Sequence, residues 1–141
     1  MTDPDAPLHV GFTGTRHGMT IRQGSVAAGL LRDYDVVHHG DCVGGDWQAH
    51  EIALEAGLRT EVHPPKSGAL RAYCKGDVMH EPKDYTERNH DIVEACCRLV
   101  AAPGTMSEEL RSGTWATIRY ARSVNKPVSI VFLDGSVQHV G

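Results

Sequence analysis

Positive charge is in short supply in this chain. Lys and Arg total 14 against 18 Asp and Glu, a formal charge of −4. That balance excludes a protein that wraps nucleic acid by broad neutralisation of phosphates, so nucleic acid is not an expected partner. Long apolar runs are missing too. The longest, Val128 to Leu133, is six residues and is already broken by Ser129, far short of the roughly 20 that a membrane span needs. The first residues, MTDPDAP, are acidic and carry proline, unlike the basic and apolar regions of a signal peptide. Four cysteines, at 42, 74, 96 and 97, show no CxxC spacing; reduced thiols in a cytoplasmic protein are expected, with no disulfide framework. GxGxxG, GxxxxGK[ST] and HEXXH are all absent, which excludes the dinucleotide fingerprint, the Walker loop and the metalloprotease helix.

What is present is an ordinary globular composition, 40% hydrophobic and 23% charged, at a length that suits one domain. The chain alternates short apolar runs with helical periods. Residues 8–12, 35–39, 59–63, 99–102 and 128–133 read as strands, and the segments beginning near Ile21, Asp46, Asp84 and Ser112 read as helices. Such alternation with short links implies a parallel sheet with helices on both faces. The expected fold is therefore α/β, a Rossmann-like three-layer sandwich. The expected domain runs over residues 8–134, between tails at 1–7 and 135–141. Asp46 is expected to cap its helix, Asp84 with Glu87 to form a capping box, and Gly57 to end the second helix. Residues 66–82 show no period and read as one long loop.

Fifteen glycines make up about a tenth of the chain, above the usual share of roughly 7%, and they cluster after the strands. Gly14, Thr15 and Arg16 follow the first strand. Gly40, Asp41, Cys42, Gly44, Gly45 and Asp46 follow the second. Pro103 and Gly104 follow the fourth, and Ser112, Gly113, Thr114 and Trp115 open the next helix. In an open parallel sheet these segments share the edge at the carboxyl ends of the strands, where ligands bind. Backbone N–H groups, hydroxyls and a helix N-terminus suit a phosphate there. Arg88 and Asn89 lie in the first turn of the preceding helix, where a cation opposes the helix dipole and calls for an anionic partner.

A metal reading is weaker. His38, His39, Asp41, Cys42, Asp46 and His50 lie close together, but their spacing matches no zinc site, and adjacent strand residues such as His38 and His39 point to opposite faces. No metal and no cofactor is expected. Cys42 and Cys74 lack an indicated base and are poor nucleophile candidates. Trp115 suits either a stacking platform or the core.

TGTR after the first strand, GDCVGGD after the second, YTERN before the fourth and RSGTWATIRYAR after it, in this order, resemble the SLOG superfamily. The similarity covers most of residues 8–133. It is nearest to the YspA/YpsA-related branch and more distant from the LOG phosphoribohydrolases and the Smf/DprA proteins. The resemblance implies a sheet of about five strands in the order 3-2-1-4-5 and a nucleotide-like ligand at the glycine loops. In LOG-type enzymes an arginine and the glutamate of PGGxGTxxE act on the N-glycosidic bond. Arg88 matches that arginine and Gly113-Thr114 match the GT pair, but Thr117 stands where the glutamate would be. Pro103-Gly104 is separated from Gly113 by an insertion carrying Glu108 and Glu109.

Two functions follow as expectations. The first is a small protein that binds a nucleotide or ADP-ribose-like ligand as sensor, carrier or sequestering protein. Its ligand would lie on Gly14, Thr15, Arg16, Gly40, Gly44, Gly45, Asp46, Arg88, Asn89, Pro103, Ser112, Gly113, Thr114 and Trp115. The second is a hydrolase cleaving the N-glycosidic bond of a nucleoside 5'-monophosphate, with Arg88, Asp46, Glu108 and Glu109 (and Asp41 beside them) as catalytic candidates, since proton transfer there needs a carboxylate. Relatives of this kind self-associate, so a homo-oligomer is expected.

Overall fold

Alternation of period two along His9–Gly14 sets the layers. This strand, β1, sends Val10 and Phe12, both fully buried, to one face of the sheet and His9 and Gly11 to the other. The structure is a computed structural model and describes residues 3–141. After β1 come α1 (Ile21–Leu31), β2 (Val36–His39), α2 (Gly45–Glu55), β3 (Arg59–Val62), β4 (Val78–Met79), α3 (Tyr85–Ala95), β5 (Arg98–Ala102), α4 (Gly113–Ser123), β6 (Val128–Val131) and β7 (Val137–Val140). The sheet order is β4-β3-β2-β1-β5-β6-β7, parallel except for the β6–β7 pair.

The five strands read from the sequence lie in the expected order, and the fold is a Rossmann-like three-layer sandwich. The sheet has seven strands because each edge gains one. Strand β4 lies inside the segment read as a loop: Asp77 accepts from the Thr60 amide at 2.9 Å and its own amide reaches Thr60 Oγ1 at 3.3 Å, holding β4 against β3. Strand β7 pairs the C-terminal tail at the sheet edge, one of the two outcomes, edge pairing or a free end, that the sequence leaves open.

Helices α1 and α2 cover one face. Ala27, Leu31, Ala49 and Ala53 pack on Val10, Phe12, Val37, Val100, Ala102 and Val131. Helices α3 and α4 cover the other, where Val93, Trp115, Ile118 and Ala121 meet Leu99, Ala101, Val128 and Ile130. Burial of these apolar side chains is the main stabilising contribution. On this second face α3 packs on β1 and α4 on β1, β5 and β6, so among the described residues the half of the sheet formed by β2, β3 and β4 has no helix packed closely on it.

The helix starts show how local chemistry positions the elements. Thr20 closes a capping box with Gln23, and its hydroxyl donates to the Leu133 carbonyl at 2.6 Å. Gln23, fully buried, donates to the carbonyls of Pro103 and Val131 at 2.8 and 2.9 Å. One cap therefore joins α1 to the carboxyl ends of β5 and β6. Thr20→Ala removes both interactions and is expected to destabilise the fold by about 1–2 kcal/mol, readable as a lower urea midpoint with an unchanged slope. Gly57 ends α2 with φ of 72° as expected. Two expected caps differ. Asp84 precedes α3 without a side-chain capping bond. Asp46 lies inside the first turn of α2, whose N-cap is Gly44.

Candidate functional site

A cleft of about 550 Å³ opens beyond the carboxyl ends of β1, β2 and β5, and its walls also include the starts of α3 and α4. Ten of the expected ligand-binding residues line it: Gly14, Thr15, Arg16, Gly40, Asp46, Arg88, Asn89, Ser112, Gly113 and Thr114. Glu109 lines it as well.

Helix α4 presents its N-terminus to this space. Ser112 caps it by accepting from the Trp115 amide at 3.2 Å. The Gly113 and Thr114 amides lie in the first turn and have no intrahelical acceptor. Gly113 is exposed, and a side chain added there would meet nothing within 4 Å. An oxyanion therefore has access to free N–H groups at the positive end of a helix dipole.

Arg88 projects from the first turn of α3 and is buried. Its Nη1 donates to the carbonyls of Gly40 and His63, and its Nε to Asn89 Oδ1 at 2.7 Å. Gly40 is required by this arrangement: a Cβ there would lie 2.6 Å from Arg88 Nη1 and 3.0 Å from Asp46 Oδ2. The Tyr85 ring lies 5.4 Å from the guanidinium, a cation–π contact. Arg88 thus joins the ends of β2 and β3 to α3 while lining the cleft.

Asp46 is the chemically distinctive group. Its Oδ2 accepts from the Cys42 amide at 3.2 Å, whereas Oδ1 is buried with no hydrogen-bond partner among the described residues. Burial raises its pKa from 3.8 to about 6, against the opposing pull of the Arg88 guanidinium. A carboxyl poised near neutrality in a cleft can hold or exchange a proton. The Cys42 thiol beside it is pushed up by burial, and Cys74 is pushed up to about 12 for the same reason. Both stay protonated at neutral pH and neither is an activated nucleophile. All four thiols are free.

Other candidates lie elsewhere. Gly44 and Gly45 dock the start of α2 on the turn after β1, with the Gly45 amide donating to Thr15 O at 2.8 Å, so they pack backbone on backbone and do not line the cleft. Pro103 is buried and offers its carbonyl to Gln23. Trp115 is in the core, 3% exposed, its indole N–H on Thr105 Oγ1 at 3.0 Å. Glu108 pairs with Arg119 at 2.9 Å on the outside of α4. Asp41 is fully buried and ties down the loop after β3: it accepts from Arg71 Nε and the Cys74 amide, each at 2.8 Å. Thr117 lines the cleft, but its hydroxyl donates to the Gly113 carbonyl at 2.9 Å.

Sequence reading missed Tyr85 and Arg111. Both line the cleft, and neither sits in a glycine loop. YTERN was in view, and its aromatic residue was the available signal for Tyr85. The exposed Arg111 precedes the cap of α4 and had no such signal.

Six of the nine histidines form two groups on opposite faces of the sheet. His39 faces His50 at 2.9 Å, with Cys74 nearby. His38 contacts His63 and His9, each at 2.8 Å, beside Glu61 and His80. Burial lowers the pKa of His38 to about 4, of His39 to about 3 and of His63 to about 2, which keeps all three rings neutral.

No protein-family model matches the chain, and no curated protein matches it. Solved structures do. The molybdenum cofactor binding protein of Rippkaea orientalis superposes with a TM-score of 0.70 at 20% identity, over 91% of this chain and 78% of that one. The molybdenum cofactor carrier protein of Chlamydomonas reinhardtii gives 0.64 at 18% identity, over 89% and 76%. DNA processing protein A (DprA) of Streptococcus pneumoniae gives 0.62 at 22% identity, over 87% of this chain and 50% of that one. The chain has the fold these proteins share. The fold shared with DprA is the kind of fold that the SLOG resemblance implies. Among the described residues, no helix is long and apolar enough to cross a membrane.

Proposed function

We propose that the chain binds a small phosphorylated ligand in this cleft and holds it as a carrier, sensor or sequestering protein. The observation that carries the reading is the open N-terminus of α4 in a cleft whose lining also includes Arg16, Arg88 and Arg111. Free amides at a helix N-terminus beside guanidinium-bearing walls suit an anionic group. The ligand class is a nucleotide or an ADP-ribose-like molecule. The fold neighbours named for the molybdenum cofactor add that cofactor to the candidates. Thr117 supports binding without cleavage, because its hydroxyl serves the helix backbone at the position where the resemblance puts a catalytic glutamate.

The test is a thermal-shift screen against nucleoside mono- and diphosphates, ADP-ribose and molybdenum cofactor. A ligand that binds only the folded state raises the midpoint by mass action. One class is expected to do so, and a flat panel removes the reading. Arg111→Ala is the matching variant, since Arg111 is exposed and its loss leaves the core intact. Loss of one charge-assisted contact is expected to weaken binding about tenfold or more. Titration calorimetry reads it, and equal affinity takes Arg111 out of the site.

One observation favours a second reading. The carboxyl of Asp46, with a pKa near 6 and an unpartnered oxygen, is suited to protonate the leaving base of a nucleoside monophosphate. As a hydrolase the chain would release free base and ribose 5-phosphate. Chromatography of a long incubation with the common monophosphates detects the base, and none appearing removes this reading.

A further inference from the structure

We propose that His38, Glu61, His63 and His80 bind a divalent d-block ion, zinc being the natural occupant, on the open half of the sheet. Register brings them together. Glu61 on β3 pairs with His38 on β2, and Val78 on β4 pairs with Glu61. His63 and His80 follow two residues after Glu61 and Val78, so their side chains project from the same face. One donor atom from each of the four residues can be chosen so that all lie within 4.8 Å of one another. His38 Nδ1 and His63 Nε2 are 2.8 Å apart, and so are His80 Nε2 and Glu61 Oε1. Ligand atoms around a tetrahedral zinc, with bonds of about 2.0–2.1 Å, stand roughly 3.3 Å apart. An ion would take the place of these two hydrogen bonds and move the atoms of each pair apart by about 0.5 Å. Three imidazoles and one carboxylate form a borderline-soft set that suits zinc and its first-row neighbours better than magnesium or calcium.

The surroundings fit an ion as well. His38 and His63 are buried, while the side chains of Glu61 and His80 are 18% and 39% exposed, which leaves an entry path. A ligating imidazole keeps its second ring nitrogen on a partner. With Nδ1 as the ligand atom, His38 keeps its Nε2 on His9 Nδ1 at 2.8 Å. The ion would cross-link β2, β3 and the segment after β4 where, among the described residues, no helix packs closely on them. This site is separate from the cleft, and its ligands are not cleft residues.

The test uses the full chain, stripped with a chelator and titrated with Co²⁺ at neutral pH. The expected result is one ion per chain with the intense visible bands of tetrahedral cobalt, displaced by Zn²⁺, and no thiolate-to-metal charge-transfer band. A thiolate band would place the ion at His39, His50 and Cys74 and overturn the proposal. So would only the weak bands of an octahedral ion. His80→Ala and Glu61→Gln change partly exposed residues and, with folding checked by circular dichroism, are each expected to lower affinity by about tenfold or more. Wild-type affinity in both folded variants overturns it too. If both fail to fold, the wild-type spectrum decides.

Discussion

Asp46→Asn is expected to stabilise the protein by about 3 kcal/mol at pH 8 and to leave it nearly unchanged at pH 4. Burial lifts the Asp46 carboxyl from 3.8 to about 6 in the folded state, so the folded chain holds this proton more tightly than the unfolded chain does. Stability therefore falls as pH rises from about 4 through 6, and the full penalty applies above the folded-state value. Asparagine keeps an oxygen for the Cys42 amide and carries no charge to bury. Urea titrations of both proteins at the two pH values check this, and equal stabilities at pH 8 would show that Asp46 carries no buried charge. The variant also separates the two functional readings. A binding protein gains affinity for an anionic ligand when a negative charge leaves its cleft. A hydrolase that relies on Asp46 as proton donor loses base release while ligand still binds. Stability gained by removing a site residue is the usual signature of a group kept for function.

Sequence patterning carried the middle of the sheet and the position of the cleft, because both follow from local signals. Apolar runs of period two and glycine-bearing strand-to-helix turns are visible in a single chain, and topology then brings the turns to one edge. Roles within those turns were not visible. Gly40 and Gly44 look alike in GDCVGGD, yet Gly40 makes room for the Arg88 side chain and Gly44 for the backbone of Arg16. Asp41 and Asp46 look equally catalytic, and only the contacts show that one anchors a loop while the other keeps an unpartnered oxygen. Sequence marks Arg88 as a cation at the wrong end of a helix dipole, and only the structure shows that its guanidinium also satisfies two backbone carbonyls, so Arg88→Ala tests folding as much as binding. The two-residue β4 is too short to carry a period. The ligand set of the zinc proposal draws on two strands, β2 and β3, and on the residues just after β3 and β4, and no spacing rule along the chain could have grouped it.

Gly44→Ala is expected to be the most damaging single methyl addition in the chain. Gly44 has φ of 83° and ψ of −123°, a conformation that is essentially confined to glycine. Space is lacking too. A Cβ at this position would lie 2.3 Å from the carbonyl oxygen of Arg16 and 2.7 Å from that of Thr15. Both are backbone atoms, held by the bond from the Gly45 amide to Thr15 and by the bond from the Thr15 amide to Ala102, so neither can rotate away. Strain of roughly 1–3 kcal/mol and overpacking of roughly 1–3 kcal/mol together give about 4 kcal/mol. That is a large share of the 5–15 kcal/mol typical of a domain, and at about 4 °C per kcal/mol it corresponds to a fall of about 15 °C in Tm. Gly113→Ala is the control, because a methyl there meets nothing within 4 Å, and its Tm is expected to stay within about 2 °C of wild type, as an unconstrained surface change does. Differential scanning calorimetry of the two variants measures the contrast. Equal midpoints would mean that the turn after β1 and the start of α2 can separate. The docking of these two loops would then not be what holds the Arg16 and Gly40 sides of the cleft in place.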